Sequence, residues 1–226
     1  MDNTIKAVNV SKKFDDNIIL DNINFEWESG KIYGLIGRNG SGKTLLMRML
    51  CGLVLASSGN IYVNGIEVGK HGTIPHCIGA VIETPVFLSK FSGYRNLRFL
   101  ADLRGDIHKN DIHHAMRLVG LDPNMTRPVE KYSLGMRQRL GIAQAIMEDP
   151  PILMLDEPMN GLDSDGVDRI HHIINQYKNS GRLVILASHM LDDVMKTCDE
   201  VYSVQNKNLI RIMEDRHIVD ITNKTE

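Results

Sequence analysis

The sequence predicts an α/β fold built on a mostly parallel sheet, with an antiparallel β subdomain on its N-terminal side and an inserted helical subdomain. Three observations carry this expectation. Residues 4–10, 18–28 and 31–36 read as short strands with no helix between them. Residues 92–148 carry only helical apolar spacing. From residue 150 onward strand-like and helix-like segments alternate, the pattern of parallel strands joined by helices. At 226 residues the chain suits one large domain able to bury a substantial core, here taken as 1–226, with the helical subdomain at about 89–148.

After the early strands comes "GLIGRNGSGKTL", residues 34–45. It lies between a short apolar run, "KIYGLIG", and "LLMRMLCGLVL", whose apolar residues have helical spacing. Gly37, Gly42, Lys43 and Thr44 fit the pattern G-x-x-x-x-G-K-[ST], with Arg38, Asn39, Gly40 and Ser41 between them. Glycines let backbone N–H groups curl around an anion, and the following helix adds its positive end. Lys43 is placed to reach the outer phosphates, and the Thr44 hydroxyl to take one position on Mg²⁺. The loop implies a nucleoside triphosphate and makes the α/β portion a P-loop NTPase core.

The remaining elements follow in order. "IYVNGIEV" reads as a hairpin turning at Asn64-Gly65, and "CIGAVIE" as a buried strand. "GYRNLRFLADLRG", "NDIHHAMRLVG" and "LGMRQRLGIAQAIMED" are amphipathic helices of the insertion. Then come strand "ILMLDE", a helix at about 163–178, strand "RLVILAS", a helix at 190–197 and strand "EVYSVQ". Within "PPILMLDEP", Asp156 and Glu157 fall at the carboxyl end of a buried strand, the edge of an open α/β sheet where ligands sit. Asp156 is the candidate to hold Mg²⁺ through water, and Glu157 to orient and polarise an attacking water. A GTPase would require N-K-x-D to read its base. Neither "NKNL" nor "NKTE" supplies that aspartate, although "DSDG" supplies D-x-x-G.

Composition removes other classes. Charged residues are 24% of the chain, the formal net charge is −2 and no basic tract stands out, so a nucleic-acid partner has no electrostatic support. Cys51, Cys77 and Cys198 are far apart and read as reduced core thiols. The pairs His113/His114 and His171/His172 lie on amphipathic helices with one member of each facing inward, and no further ligand completes a metal set. The sequence opens with no signal peptide, and no apolar run approaches the ~20 residues needed to span a bilayer. Any membrane work falls to another polypeptide.

The segment "KYSLGMRQRLGIAQAIM", residues 131–147, resembles the signature of ABC-type ATPases, usually L-S-G-G-Q followed by a Q-R pair and a helix. Its slots hold Tyr132, Ser133, Leu134, Gly135 and Met136; the serine and second glycine match and the other letters depart. Order and spacing support the resemblance from about residue 4 to 213: "NGLD" with Asp163 resembles the D-loop, His189 in "ASH" occupies the switch-histidine position, and Phe14 that of the aromatic stacking on adenine. The resemblance implies ATP and Mg²⁺ as cofactors and a second ATPase subunit, most simply an identical one. It implies that Ser133 and Gly135 clamp the ATP held by the partner's phosphate loop. It also implies separate transmembrane permease subunits, so that the chain is cytoplasmic and peripheral on the inner face of the cell membrane.

Where the family has glutamine after "IGAVI", this chain has Glu83. With "YSLGMRQR", Glu83 looks like the branch serving drug and peptide-antibiotic export or self-immunity, and it is a candidate for contact with Mg²⁺; a strand-end acid with no part in the site is the other reading. Phe87, Leu88, Phe91 and Tyr94 are either core of the helical lobe or a groove for a permease helix. Two functions are carried forward. One is the ATP-hydrolysing subunit of an ABC transporter, expected to export a peptide, antibiotic or other amphipathic compound. The other is a soluble ABC-type ATPase acting on ribosomes, DNA or a macromolecular assembly. The second class usually shows two ATPase units in one chain, a coiled-coil insertion or a basic surface, and none is visible in the sequence.

Overall fold

The computed structural model describes residues 3–219; residues 1–2 and 220–226 of the expected domain lie outside the described residues. Strands β1 (Thr4–Phe14) and β2 (Asn17–Glu28) pair antiparallel from Thr4↔Glu28 to Phe14↔Asn17. With β4 (Ser58–Val63) and β5 (Ile66–Glu67) they form a four-stranded sheet in the order β2-β1-β4-β5. Leu20, Ile23, Phe25 and Trp27 point to its buried face while their neighbours meet solvent, the pattern of a sheet covered on one side. The β4–β5 turn falls at Asn64 and Gly65, with φ of 51° and 76°, as a type I′ hairpin requires.

The second sheet has seven strands. β6 (Ile78–Val81), β7 (Ile152–Asp156), β8 (Leu183–Ser188), β3 (Ile32–Ile36) and β9 (Glu200–Gln205) run parallel, and β10 (Asn208–Glu214) and β11 (His217–Ile218) add antiparallel at one edge. The sequence reading expected antiparallel edging without resolving β10 or β11. A register shift between Arg211 and Met213 breaks the two-residue alternation by which β10 would be recognised. β7 and β8 are buried on both faces, which is why they read as continuous apolar runs.

Their side chains divide between two cores. Leu153, Leu155, Val184 and Leu186 face α2 (Gly93–Arg104), α3 (Lys109–Leu118), α4 (Leu134–Ile146) and α5 (Ser164–Asn179), meeting Leu97, Ile112, Leu140 and Ile174. Ile152, Met154, Leu183 and Ile185 face α1 (Lys43–Leu50) and the four-stranded sheet. Trp27 is fully buried there, 3.9 Å from the Phe25 ring, 5.2 Å from Tyr33 and 5.6 Å from Tyr202, so one aromatic cluster spans both sheets. α1 ends at Leu50 although the apolar spacing continues to Leu55. The Met47, Arg48 and Met49 carbonyls accept from the N–H groups of Cys51, Leu53 and Gly52, which turns the chain and leaves Leu53 and Leu55 exposed.

Because β3, β6, β7 and β8 are parallel, their carboxyl ends share one edge, with Ile36 beside Ser188, Ala187 beside Asp156 and Leu155 beside Val81. The opposite end is held by buried acids. Asp199 accepts from the Ile32 N–H at 2.9 Å, Lys178 Nζ at 2.5 Å and Arg216 Nε at 3.4 Å. Burial alone would raise the Asp199 carboxyl; Lys178, the Ile32 N–H and Arg216 outweigh it and hold it below the usual carboxylate range. A depressed carboxylate contributes stability that is present above its unfolded pKa of ~4 and is lost as pH falls through the folded value. Asp199→Asn should therefore cost about 1–3 kcal/mol at pH 7 in urea unfolding. The gap to wild type should narrow steadily below pH ~4; a gap independent of pH would show that Asp199 does not act through its charge.

Candidate functional site

The loop from Gly37 to Gly42 leaves the end of β3 and enters α1 at Lys43. Gly42 caps the helix with a φ of 110°, a backbone conformation strained for any residue with a Cβ, and a Cβ there would come within 2.9 Å of the Leu20 side chain, so this position favours glycine. No side chain caps α1 and no acid lies in its first turn, which leaves its positive end open to an anion. Lys43 is nearly buried and folds back over its own loop, donating to the Gly37 carbonyl at 2.6 Å and the Arg38 carbonyl at 3.4 Å. Beside it the Thr44 hydroxyl donates to Asp156 Oδ2 at 2.7 Å.

Asp156, 4% exposed, ends β7. Its Oδ1 is buried without a hydrogen-bond partner, as is the Ser41 hydroxyl oxygen in the phosphate loop. Burial pushes the Asp156 carboxyl up, with the charge of Glu157 adding to the rise; the Thr44 hydroxyl, the Lys43 ammonium and the Glu83 backbone act the other way. An orphaned carboxylate oxygen beside a threonine hydroxyl is a donor set suited to a hard cation such as Mg²⁺. Among the described residues no group of three His, Cys, Asp or Glu could hold a metal unaided. That fits an ion that completes its shell with phosphate oxygens and water.

Glu157 is held from four directions. Its φ of 49° is left-handed, its N–H donates to the Ala187 carbonyl at 2.8 Å, and its own carbonyl accepts from Gln138 Nε2 at 3.3 Å. Its carboxylate accepts from Ser188 Oγ at 3.2 Å and lies 2.9 Å from His189 Nδ1. Glu157 and His189, from neighbouring strands, thus form one polar line with Ser188.

A cavity of about 760 Å³ gathers most of the residues that the sequence singles out. Asn39, Gly40, Ser41, Gly42, Lys43, Thr44, Asp156 and Glu157 line it, and Phe14, half-exposed at the end of β1, stands at its rim. Gly37 and Arg38 sit behind it and hold Lys43; His189 joins through Glu157. Glu83 lies on its wall, where its carboxylate is paired with Arg48 at 2.6 Å and its charge is therefore offset by a neighbour. Sequence reasoning missed Arg48, Gln138 and Ser188 as site residues. Arg48 had a signal, lying four residues after Thr44 on one helix face.

Ser133, Gly135 and Asp163 are not part of that cavity wall, although the intervening Leu134 and the nearby Asn160 line it. Ser133 heads α4 and accepts from the Met136 N–H at 3.1 Å, which leaves its hydroxyl proton free to donate outward. Gly135 packs so closely on the segment before α5 that a Cβ would lie 2.6 Å from the Gly161 carbonyl. Asp163 caps α5, accepting from the Gly166 N–H at 2.9 Å. Phe87 and Tyr94 pack into the helical lobe, whereas Leu88 is exposed.

The family model described as "ABC transporter" matches residues 20–160. A bacitracin transport ATP-binding protein of Enterococcus faecalis is 36% identical over 228 residues, covering 100% of this chain and 71% of its own length. A lantibiotic transport ATP-binding protein of Streptococcus pyogenes is also 36% identical, over 91% of this chain and 89% of its own. Among solved structures, an ATP-binding subunit of an ABC transporter superposes with a TM-score of 0.82 at 24% identity, covering 91% of this chain and 87% of that one, and so shares the fold. The phosphate loop, the strand-end carboxylates and a family match over more than half of its length place the chain in one family: it belongs to the ABC transporters, as an ATP-binding and ATP-hydrolysing member.

Proposed function

We propose that the chain powers export of a peptide antibiotic or similar amphipathic compound. It would act as a pair of identical subunits bound to separate permease chains on the cytoplasmic face of the membrane. The observation that carries the paired arrangement is that the signature turn reaches the cavity holding Lys43, Thr44, Asp156 and Glu157 only through the apolar Leu134, while Ser133 and Gly135 are not in its wall. A site needing both sets is completed by a second copy, and a two-fold pair supplies each set to the other. The bacitracin and lantibiotic relatives support the substrate class. Glu83 in place of glutamine supports the same branch. On this reading the whole of 1–226 is one ATPase domain with the helical portion as its subdomain.

Each residue then has a task. The adenine stacks on Phe14, where the Lys12 ammonium already sits 4.8 Å from the ring centroid. The loop N–H groups from Asn39 to Thr44 and the open end of α1 receive the phosphates, and Lys43 exchanges its loop carbonyls for phosphate oxygens. Thr44 and the free oxygen of Asp156 would hold Mg²⁺, which when bound neutralises phosphate charge. Glu157 takes a proton from water as it attacks, while His189 and Ser188 fix the carboxylate's direction. Ser133 donates its hydroxyl to the partner's triphosphate, and Asp163 keeps the adjoining loop in place.

No described helix is long and apolar enough to cross a membrane, and this reading assigns the crossing to the permease chains. A second cavity of about 430 Å³, lined by Leu53, Ile74, Leu100 and Leu103 among others, lies between the core and the helical lobe. Its exposed leucines suit a cytoplasmic helix of the permease.

Two outcomes test the paired site. Glu157→Gln should lower hydrolysis at least ~100-fold and, with ATP and Mg²⁺, accumulate a dimer on size exclusion; wild-type turnover would remove Glu157 from the chemistry. Ser133→Arg should lower hydrolysis about tenfold or more while single-site ATP binding stays within about twofold of wild type. Wild-type specific activity should also rise with protein concentration, and a flat profile over a wide dilution series would rule out shared sites.

A further inference from the structure

Arg48 lies one helical turn beyond Thr44 on α1, and both side chains line the nucleotide cavity. Its guanidinium donates to the Glu83 carboxylate at 2.6 Å, just where the chain leaves β6 with a left-handed φ of 61° at Glu83. The two side chains are 42% and 54% exposed. Pairs so placed change a folding equilibrium by no more than about fivefold, so holding the fold is not what distinguishes this one. Its position is. Glu83 shares the cavity wall with Asp156 and Glu157, so three carboxylates stand around the space for a triphosphate that already carries several negative charges. Two cations line the same cavity, and Lys43 is committed to the Gly37 and Arg38 carbonyls. Arg48 is the one that meets the third acid.

Resting on the reading of this cavity as a Mg·ATP site, we infer that Arg48 is a positioning residue that holds the Glu83 carboxylate away from the metal side of the site. In doing so it sets how much divalent cation nucleotide binding requires. With Arg48 in place, the charge of Glu83 is offset and its Oε2 is occupied. Without Arg48 the carboxylate is free to add its field, or a water-bridged oxygen, to the ion between Thr44 and Asp156. Without Glu83, Arg48 becomes an unpaired positive charge facing that ion. The two changes act in opposite directions through one ion pair, so their effects cannot simply add.

The test is a Mg²⁺ titration of the binding of a fluorescent ATP analogue to the full chain, with binding in EDTA as the baseline. Wild type, Arg48→Gln, Arg48→Lys, Glu83→Gln and the Arg48→Gln/Glu83→Gln double variant are compared. Arg48→Gln should lower the Mg²⁺ midpoint about three- to fivefold, by removing a cation and releasing Glu83, whereas Glu83→Gln, which only removes a charge, should raise it about 1.5-fold. Arg48→Lys, which keeps the charge, should stay within about twofold of wild type. In the Glu83→Gln background, Arg48→Gln should produce less than half of its logarithmic shift in wild type. Additive shifts or coincident midpoints, with wild-type binding intact, overturn the role of Arg48 alone. Wild-type protein that fails to bind the analogue under any condition overturns the ATP-site reading and this inference with it. Should Arg48→Gln not fold, Glu83→Gln decides, and an unmoved midpoint for that variant overturns the inference.

Discussion

The alignment of four parallel strands is the constraint on which the rest depends. β7, β8 and β3 are buried on both faces, with β6 partly buried at the sheet edge, and burial of this kind requires apolar side chains along most of their length. Polar chemistry is thereby pushed to the strand ends. Because the strands run in one direction, all four ends open on the same edge. Glu83, Asp156 with Glu157, Ser188 with His189 and the phosphate loop lie far apart in sequence, yet each follows directly on a buried apolar run. The site is a consequence of sheet polarity before it is a consequence of any single residue.

At that edge the molecule carries polar groups that it does not satisfy by itself. Buried polar atoms without partners are uncommon in folded proteins, and here two of the three such side-chain atoms among the described residues, on Ser41 and Asp156, belong to the nucleotide site. Others are satisfied by substitutes: Lys43 takes carbonyls of its own loop, Glu83 takes Arg48, and Glu157 takes Ser188 and His189. Asp156 shows the cost, since burial raises its carboxyl against the help of Thr44. An incoming charged ligand meets groups whose direction is fixed and whose partners can be exchanged.

Much of this was legible in the sequence, for physical reasons. The phosphate loop announces itself because glycine, lysine and threonine are required at set intervals, and Asp156–Glu157 because two acids cannot sit inside a run such as "ILML". Long helices such as α5 were readable from apolar spacing. β10 was not, because its bulge disturbs the alternation, and the true end of α1 was not, because a hydrogen-bonded turn overrides spacing that continues for another turn. Pairings across the fold were the least visible. Nothing in "LLMRML" or "AVIETP" names Arg48 and Glu83 as partners; only the crossing of α1 and the end of β6 brings them together. Likewise Gln138 was legible as the glutamine of the Q-R pair after the signature, but its bond to the Glu157 carbonyl was not.

The aromatic cluster around Trp27 has a mechanical consequence. Phe25 and Trp27 belong to the sheet that ends in Phe14, whereas Tyr33 and Tyr202 belong to the sheet that carries the phosphate loop. Stacked rings at full burial cannot slide past one another without opening a void, so the two sheets form a single chassis. The platform for the base and the cradle for the phosphates therefore keep a constant gauge. Among the described residues no aromatic cluster of this kind joins the helical lobe to the antiparallel sheet, and the lobe is mounted on the parallel sheet chiefly through α4. A bound nucleotide therefore meets a base platform and a phosphate cradle that belong to one frame, to which the lobe is joined chiefly through a single helix.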